Sequence, residues 1–331
     1  MPLPAATLHF PHDRVLLSRT RLAYVHLRNL LTDAKRDRAA KVYGYVAVWL
    51  PEELLLLYLQ EGEVVNATAT LDGAQFRALS IAEAVAMVPS AAELGEICFY
   101  EADDEQLATM YWSQVLEPIA WPVELNVTDP AAVLAFLNAT MHDGVVEVRA
   151  ETGGVNYGIV RNGSIVRGFF TEPLAASAAN AEARLSALLA GSRAAERKKT
   201  RLWPVPPPLP VQAPPAMIQA YRDLMAAIVK RLVDGGVDGA PSVAEHARQM
   251  LVERHPCLEH FSLTHPHPRD PVTETPSLSE AVGAWIGELL WTVALQDGTT
   301  PEQLIGELAR DRRHMFQSAG LFDALPWKVE W

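Results

Sequence analysis

The side chains best suited to chemistry crowd into one short stretch of this sequence. "HPCLEHFSLTHPHP", residues 255–268, brings together His255, Cys257, His260, His265 and His267. Imidazole nitrogen and thiolate sulfur are donors that zinc prefers, so a metal-dependent enzyme or a metal sensor is the chemistry this cluster would support. Its spacing, H-x-C-x2-H-x4-H-x-H, matches no standard finger or hydrolase pattern. The prolines mark a loop, within which Phe261 and Leu263 alternate like buried anchors. Solvated histidines in a polar interhelix loop are the simpler reading. That reading assigns no metal and no cofactor, with zinc kept as the alternative.

Templates for other reactions are not met. There is no glycine-rich phosphate loop with its lysine and no G-x-S-x-G elbow. "GGVNYG" (153–158) falls inside a predicted run of strands rather than before a helix. Glu52-Glu53 and Asp103-Asp104 sit at a turn and at a helix start, where carboxylates stay wet or favour the helix dipole. No nucleophile, base and orienting group assemble, so no catalytic residue is assigned.

Bulk properties narrow the partners. The 331 residues exceed one typical domain and carry a net charge of −12, which argues against nucleic acid and against an anionic membrane surface. The basic runs at 35–41 and 196–201 are read as helix ends, where cations complement the carbonyl pole. Cys98 and Cys257 make no disulfide framework, the first residues lack a signal pattern, and the longest apolar run, "LLLLYL" (54–59), is far too short to span a bilayer. A soluble cytoplasmic protein without membrane insertion is expected.

The elements that would position any site are easier to read. "GVVEVRA" (144–150), "VNYGIVR" (155–161) and "SIVRGFF" (164–170) alternate like strands, and Asn162-Gly163 between the last two is a strong type I′ hairpin signal. The grammar occurs earlier too, as "GYVAVWL" (44–50), "LLLLYLQ" (54–60), Glu61-Gly62 and "EVVNATA" (63–69). Gly44 and Gly62 thus correspond to Gly144 and Gly163 as structural turn residues. A short strand and a helix precede each meander. The first helix shows Leu27, Leu30, Leu31 and Ala34 on one face. The second has Asp129 as N-cap, Pro130 in the first turn and a stripe of Val133, Leu134, Leu137 and Met141. Helices at 81–88, 103–117 and 175–192 and an added strand at 95–102 follow. A strand as apolar as "LLLLYL" has no wet face, so helices or the sister unit must cover both sides.

Beyond this, seven prolines in residues 203–215 read as a stiff spacer. Four capped amphipathic helices then make a bundle. Their starts are placed at residue 216, at Ser242 with Glu245, at Ser277 with Glu280, and at Thr300 with Gln303, and an aromatic tail docks on them. The expected fold is α+β, with tandem duplicated strand–helix–three-stranded antiparallel meander units and covering helices, then an all-α helical bundle. The domain limits are 1–120, 121–202, a linker at 203–215, and 216–331.

The residues just described resemble one known family. "RLAYVHLRNLL", "GYVAVWLPEELLLLYLQEGEVVNATA", "LSIAEAVAMV" and "GEICFYEA" together resemble the PATAN domain, named from the N-terminal part of cyanobacterial PatA-type response regulators. The resemblance covers about residues 20–117, and more loosely 122–192. It implies a non-enzymatic interaction or scaffold module in bacterial signalling, acting through protein partners. No receiver-type acidic pocket is visible, so the adaptor role alone carries over. A homo-oligomer fits the same expectation, with a partner strand added at a meander edge or a partner helix on the bundle. The alternatives are the metal site at 255–267 and a small-molecule sensor with its ligand between the duplicated units.

Overall fold

Leu54–Gln60 has no polar position until its last residue, and its six apolar side chains are all fully buried. The computed structural model shows what covers them. It describes the chain except for residues 1–6, 37–41, 72–74, 89–93, 173–179, 192–199, 264–268, 294, 296–297 and 330. The chain forms two compact units, one of residues 1–79 and 87–209, the other of 80–86 and 210–331.

Strands β1 (Arg14–Arg21), β2 (Gly44–Trp49), β3 (Leu54–Gln60), β4 (Glu63–Leu71), β5 (Gln75–Leu79) and β6 (Glu96–Glu101) form an antiparallel sheet in the first unit, in the order β1-β6-β2-β3-β4-β5. Strands β7 (Gly144–Arg149), β8 (Val155–Arg161), β9 (Ser164–Phe169) and β10 (Thr200–Trp203) form a second, ordered β10-β7-β8-β9. The meanders correspond in detail. Each second hairpin turns through two residues of positive φ, Glu61-Gly62 and Asn162-Gly163, the combination a type I′ turn requires. The ladder register slips between Tyr58 and Leu59 and again between Ile159 and Val160, two steps before each turn. In both sheets the first meander strand also pairs with a later strand, β6 or β10.

The helix before each meander supports its turn. Helix α1 (Leu27–Arg36) precedes β2, and a Cβ on Gly62 would run into the Ala34 carbonyl. Helix α4 (Pro130–Ala139) precedes β7, and a Cβ on Gly163 would lie 2.6 Å from the Asn138 Cα. Asp129 caps α4 by accepting from the Ala131 N–H at 3.0 Å. Val133 and Leu137 are buried as the stripe predicts, but Met141 is exposed at φ 48°. The cause is the way the helix ends: Met141 N–H donates to Asn138 O and His142 N–H to Leu137 O, so Met141 takes the left-handed position of a Schellman motif and is turned outward.

Helix α3 (Asp104–Val115), capped by Asp103, packs with both sheets. Its Leu107, Ala108, Met110 and Tyr111 join Tyr45, Leu54, Leu56 and Tyr58 of the first sheet, and Val145, Val155, Tyr157 and Ile159 of the second, in one core. The second sheet's other face, with Val146, Val148 and Val160, packs on α4 and on α5 (Ala181–Gly191).

Several expectations are corrected. The short strand expected near 21–26 is a 3-10 turn at Leu22–Tyr24, and the leading strand is β1, upstream. Before α4 there is a single bridge, Ile119 to Leu202. Within 196–201 the described residues, Thr200 and Arg201, belong to a strand and not to a helix end, because their register partners Val148 and Glu147 lie on β7.

The second unit is helical, with α6 (Pro215–Asp234), α7 (Ala240–Val252), α8 (Thr275–Thr292), α9 (Pro301–Leu308), α10 (Arg313–Ser318) and α11 (Leu321–Ala324), together with Ser80 and residues 81–86 of α2 (Ile81–Met87). Tyr221, Met225, Ile228, Val282, Trp285, Ile286 and Leu289 fill its core, with Phe316 and Leu321 of the tail docked among them. The Thr300–Gln303 capping box is present. Those expected at Ser242 and Ser277 are not: the N-caps of α7 and α8 are Gly239 and Glu274, three residues earlier, each helix with a proline in its first turn, at positions where proline's missing N–H costs nothing. The change of unit falls inside the proline stretch, between Leu209 and Pro210.

Turn support makes a prediction. Gly163→Ala should destabilise the protein by about 1–3 kcal/mol, the cost of a strained backbone position, measured by urea unfolding. Gly191→Ala, with nothing within 4 Å of the added methyl, should cause no loss.

Candidate functional site

The described part of the histidine and cysteine stretch, residues 255–263, is held as a structural turn. His255 caps a 3-10 segment, Pro256–Phe261, that carries Cys257 and His260 and buries Leu258 and Phe261. Arg248 donates to Leu258 O at 2.7 Å while its partner Glu245 accepts from the Leu263 N–H, so one ion pair grips both ends of the turn. Arg222 donates to His260 O and lies over the Phe261 ring. Burial pushes the Cys257 thiol pKa up, away from the thiolate that a metal needs. His265 and His267 lie outside the described residues. Among the described residues, no group of three or more His, Cys, Asp or Glu side chains is placed to hold a metal ion.

The other motifs also find structural uses. Gly153 and Gly154 let the N-terminal segment approach closely: His9 N–H donates to Gly153 O and Val155 N–H to His9 O. Asp103 caps α3 and, with Glu105, accepts from Arg167 of β9. Among the described residues, no helix is long and apolar enough to cross a membrane.

A cleft that the sequence motifs do not mark opens within the first unit. Its volume is about 720 Å³, and it lies where α3 ends and residues 116–121 pass between the start of β5 and the β7–β10 edge. Phe76, Leu116, Ile119, Trp121 and Trp203 supply apolar walls. Polar groups come from Gln75, Ser113, Gln114, Glu117, Arg149, Thr200 and Arg201. The strands aim these side chains by alternation: Val146 and Val148 face the helices, so Glu147 and Arg149 face α3, and Arg201 sits opposite Glu147 in the register.

The charges there are unbalanced. Glu147 is 1% exposed and accepts from Arg149 Nε at 2.7 Å. Burial works against the Arg149 cation, but Glu147 outweighs it and the guanidinium pKa rises. Arg201 makes no hydrogen bond or ion pair among the described residues. Burial pushes its pKa down, and the Arg149 cation pushes the same way. Three unsatisfied polar atoms join it. Trp203 Nε1–H is buried without a partner. Gln114 accepts from Tyr58 and Thr68 hydroxyls at 2.9 and 2.6 Å through Oε1, leaving Nε2 unpartnered. Thr200, also on the lining, has its Oγ1 buried without a partner as well. Buried polar groups of this kind cost about 1–3 kcal/mol each.

No family model matches the chain, and neither a curated protein nor a solved structure is similar to it.

Two predictions follow from these charge pairs. Hydrogen bonds from Arg248 hold the Glu245 carboxyl below its ordinary value of 4.5, against the opposite push of burial. That stability is present above pH 4.5 and is lost as pH falls through the lowered value. Arg248→Met should cost about 3 kcal/mol at neutral pH and remove this part of the acid dependence, read by urea unfolding across pH 3–7. At the cleft, Glu147→Leu should cost about 3–5 kcal/mol by stranding two cations, whereas Arg201→Gln should leave stability unchanged or raise it.

Proposed function

We propose that this protein is a non-catalytic binding module that holds a small molecule between its two sheets and acts as a sensor of it. The observation that carries the reading is the cleft at the end of α3, of a size and mixed lining typical of small-molecule sites: largely apolar walls with a few convergent polar groups. Its walls come from both sheets and the segment between them, so an occupant would touch β5, the end of α3, β7 and β10. The matching turns, register slips and strand orders support a further element of the proposal, that both sheets descend from one copied unit. The PATAN-like character of residues 20–117 enters as the source of the non-catalytic, signalling-type reading.

Partner capture by strand addition receives less support. The edge strand β1 slips register twice along β6, and β9 slips once near its turn. Such irregularities twist an edge away from a new strand. An adaptor output through some other surface is consistent with the sensor reading.

The test is a thermal-shift screen of small organic molecules on the full chain, run beside Ala120→Trp, which places a bulky ring at the exposed cleft wall. A ligand at one hundred times its Kd stabilises by about 2.7 kcal/mol. The reading predicts at least one saturable binder that raises Tm by several degrees in the wild type and not in Ala120→Trp. Binders indifferent to the variant, or none across a broad library, contradict it.

A further inference from the structure

Three of the cleft's unpartnered groups share one chemical sense, while the Thr200 hydroxyl can donate or accept. Arg201, Trp203 Nε1–H and Gln114 Nε2 are all donors, and two of these three are buried atoms with no acceptor. Tryptophan's indole nitrogen can only donate, and a guanidinium cannot accept. The Gln114 amide is fixed by the two hydroxyls on its oxygen; were it turned over, one of its atoms would still lack a partner. A ligand that completes this set must therefore bring acceptors.

Charge narrows it further. Arg149 and Arg201 face a single buried carboxylate, Glu147, already engaged by Arg149. The inner cleft thus carries one cation in excess. Glu117, also on the lining, is exposed to water, where solvent and salt screen it. One excess charge suits a monoanion. A carboxylate also matches the planar fork of a guanidinium, which can donate two parallel hydrogen bonds to it. The Phe76, Trp121 and Trp203 rings leave the remaining wall apolar and aromatic, suited to a flat hydrocarbon body.

Resting on the reading of the cleft as a small-molecule site, we propose that its ligand is an aromatic monocarboxylate whose acid group is taken by Arg201 and whose ring lies against Trp203 and Trp121. Binding would neutralise the excess cation and supply acceptors to donors that have none among the described residues. No bond is made or broken.

The experiment is titration calorimetry on the full chain, with quenching of tryptophan fluorescence as a second readout. The probes are benzoate, phenylacetate and indole-3-acetate, each against its neutral amide. An acid should bind saturably, with its amide at least tenfold weaker. Arg201→Gln should weaken the acid at least tenfold while leaving the amide unchanged, and Arg201→Lys should restore part of the loss. Unfolding curves on each variant establish that it is folded, as the expected neutrality of Arg201→Gln requires. Acid and amide binding alike, or an acid indifferent to Arg201→Gln, overturns the carboxylate assignment and leaves the small-molecule reading standing. If neither acids nor amides bind and the broader screen on the wild-type chain also finds nothing, both fall together.

Discussion

A strand without a wet face sets the terms for the first unit. Leu54–Gln60 runs through the interior of a sheet with both of its faces buried. Burying a leucine contributes about 1.5–3 kcal/mol, so leaving either row exposed would remove much of a domain's net stability. The row of Leu54, Leu56 and Tyr58 is covered by α3 and by the inward face of the second sheet. The sheets therefore share a core because one strand of the first cannot do without the cover. The cleft opens where that cover stops, as α3 gives way to residues 116–121.

The same arrangement explains the polar residues in the interior. Helix α3 is enclosed on nearly every side, and its buried Gln106, Thr109 and Ser113 are satisfied by Pro11 O, Glu105 O, and Met110 O with the Tyr157 hydroxyl. Burial pushes the phenol pKa of Tyr157 up, so it stays a neutral partner for Ser113. Glu147 is satisfied by Arg149. Arg201, the Trp203 indole and Gln114 Nε2 are among the exceptions, and they adjoin the cleft rather than the closed core. Buried polar groups without partners are uncommon in folded proteins; His142 Nε2 is another in this unit, but Gln114, Thr200 and Trp203 each bring one to the cleft lining.

The meanders were legible because their signals are local. Period-two alternation, glycine at the turns and Asn162-Gly163 each act over a few residues, and the strands lie within a residue or two of the expected limits. Asp129 and Thr300 were recognisable as caps for the same reason. Ser242 and Ser277 misled because Pro241 and Pro276 already start those helices. Strand β10 escaped notice because "TRLW" is four residues long, sits between a basic run and a proline stretch, and owes its conformation to β7. The enclosure of α3 was hidden by its polar residues, which give it the look of a surface helix. The cleft could not be assembled from sequence, since Gln114, Arg149, Arg201 and Trp203 come from three separate segments. One signal was available: "VVEVR" places Glu147 and Arg149 on a single face of an otherwise apolar strand, where a charge pair implies a special environment.

Native-state hydrogen exchange across the first unit tests the shared core most directly. Amides in β2, β3, β7 and β8 should all exchange with one common opening free energy, equal to that of global unfolding. If β7 and β8 open well below that value while β2 and β3 remain protected, the sheets do not depend on one another and the account of the cleft loses its foundation.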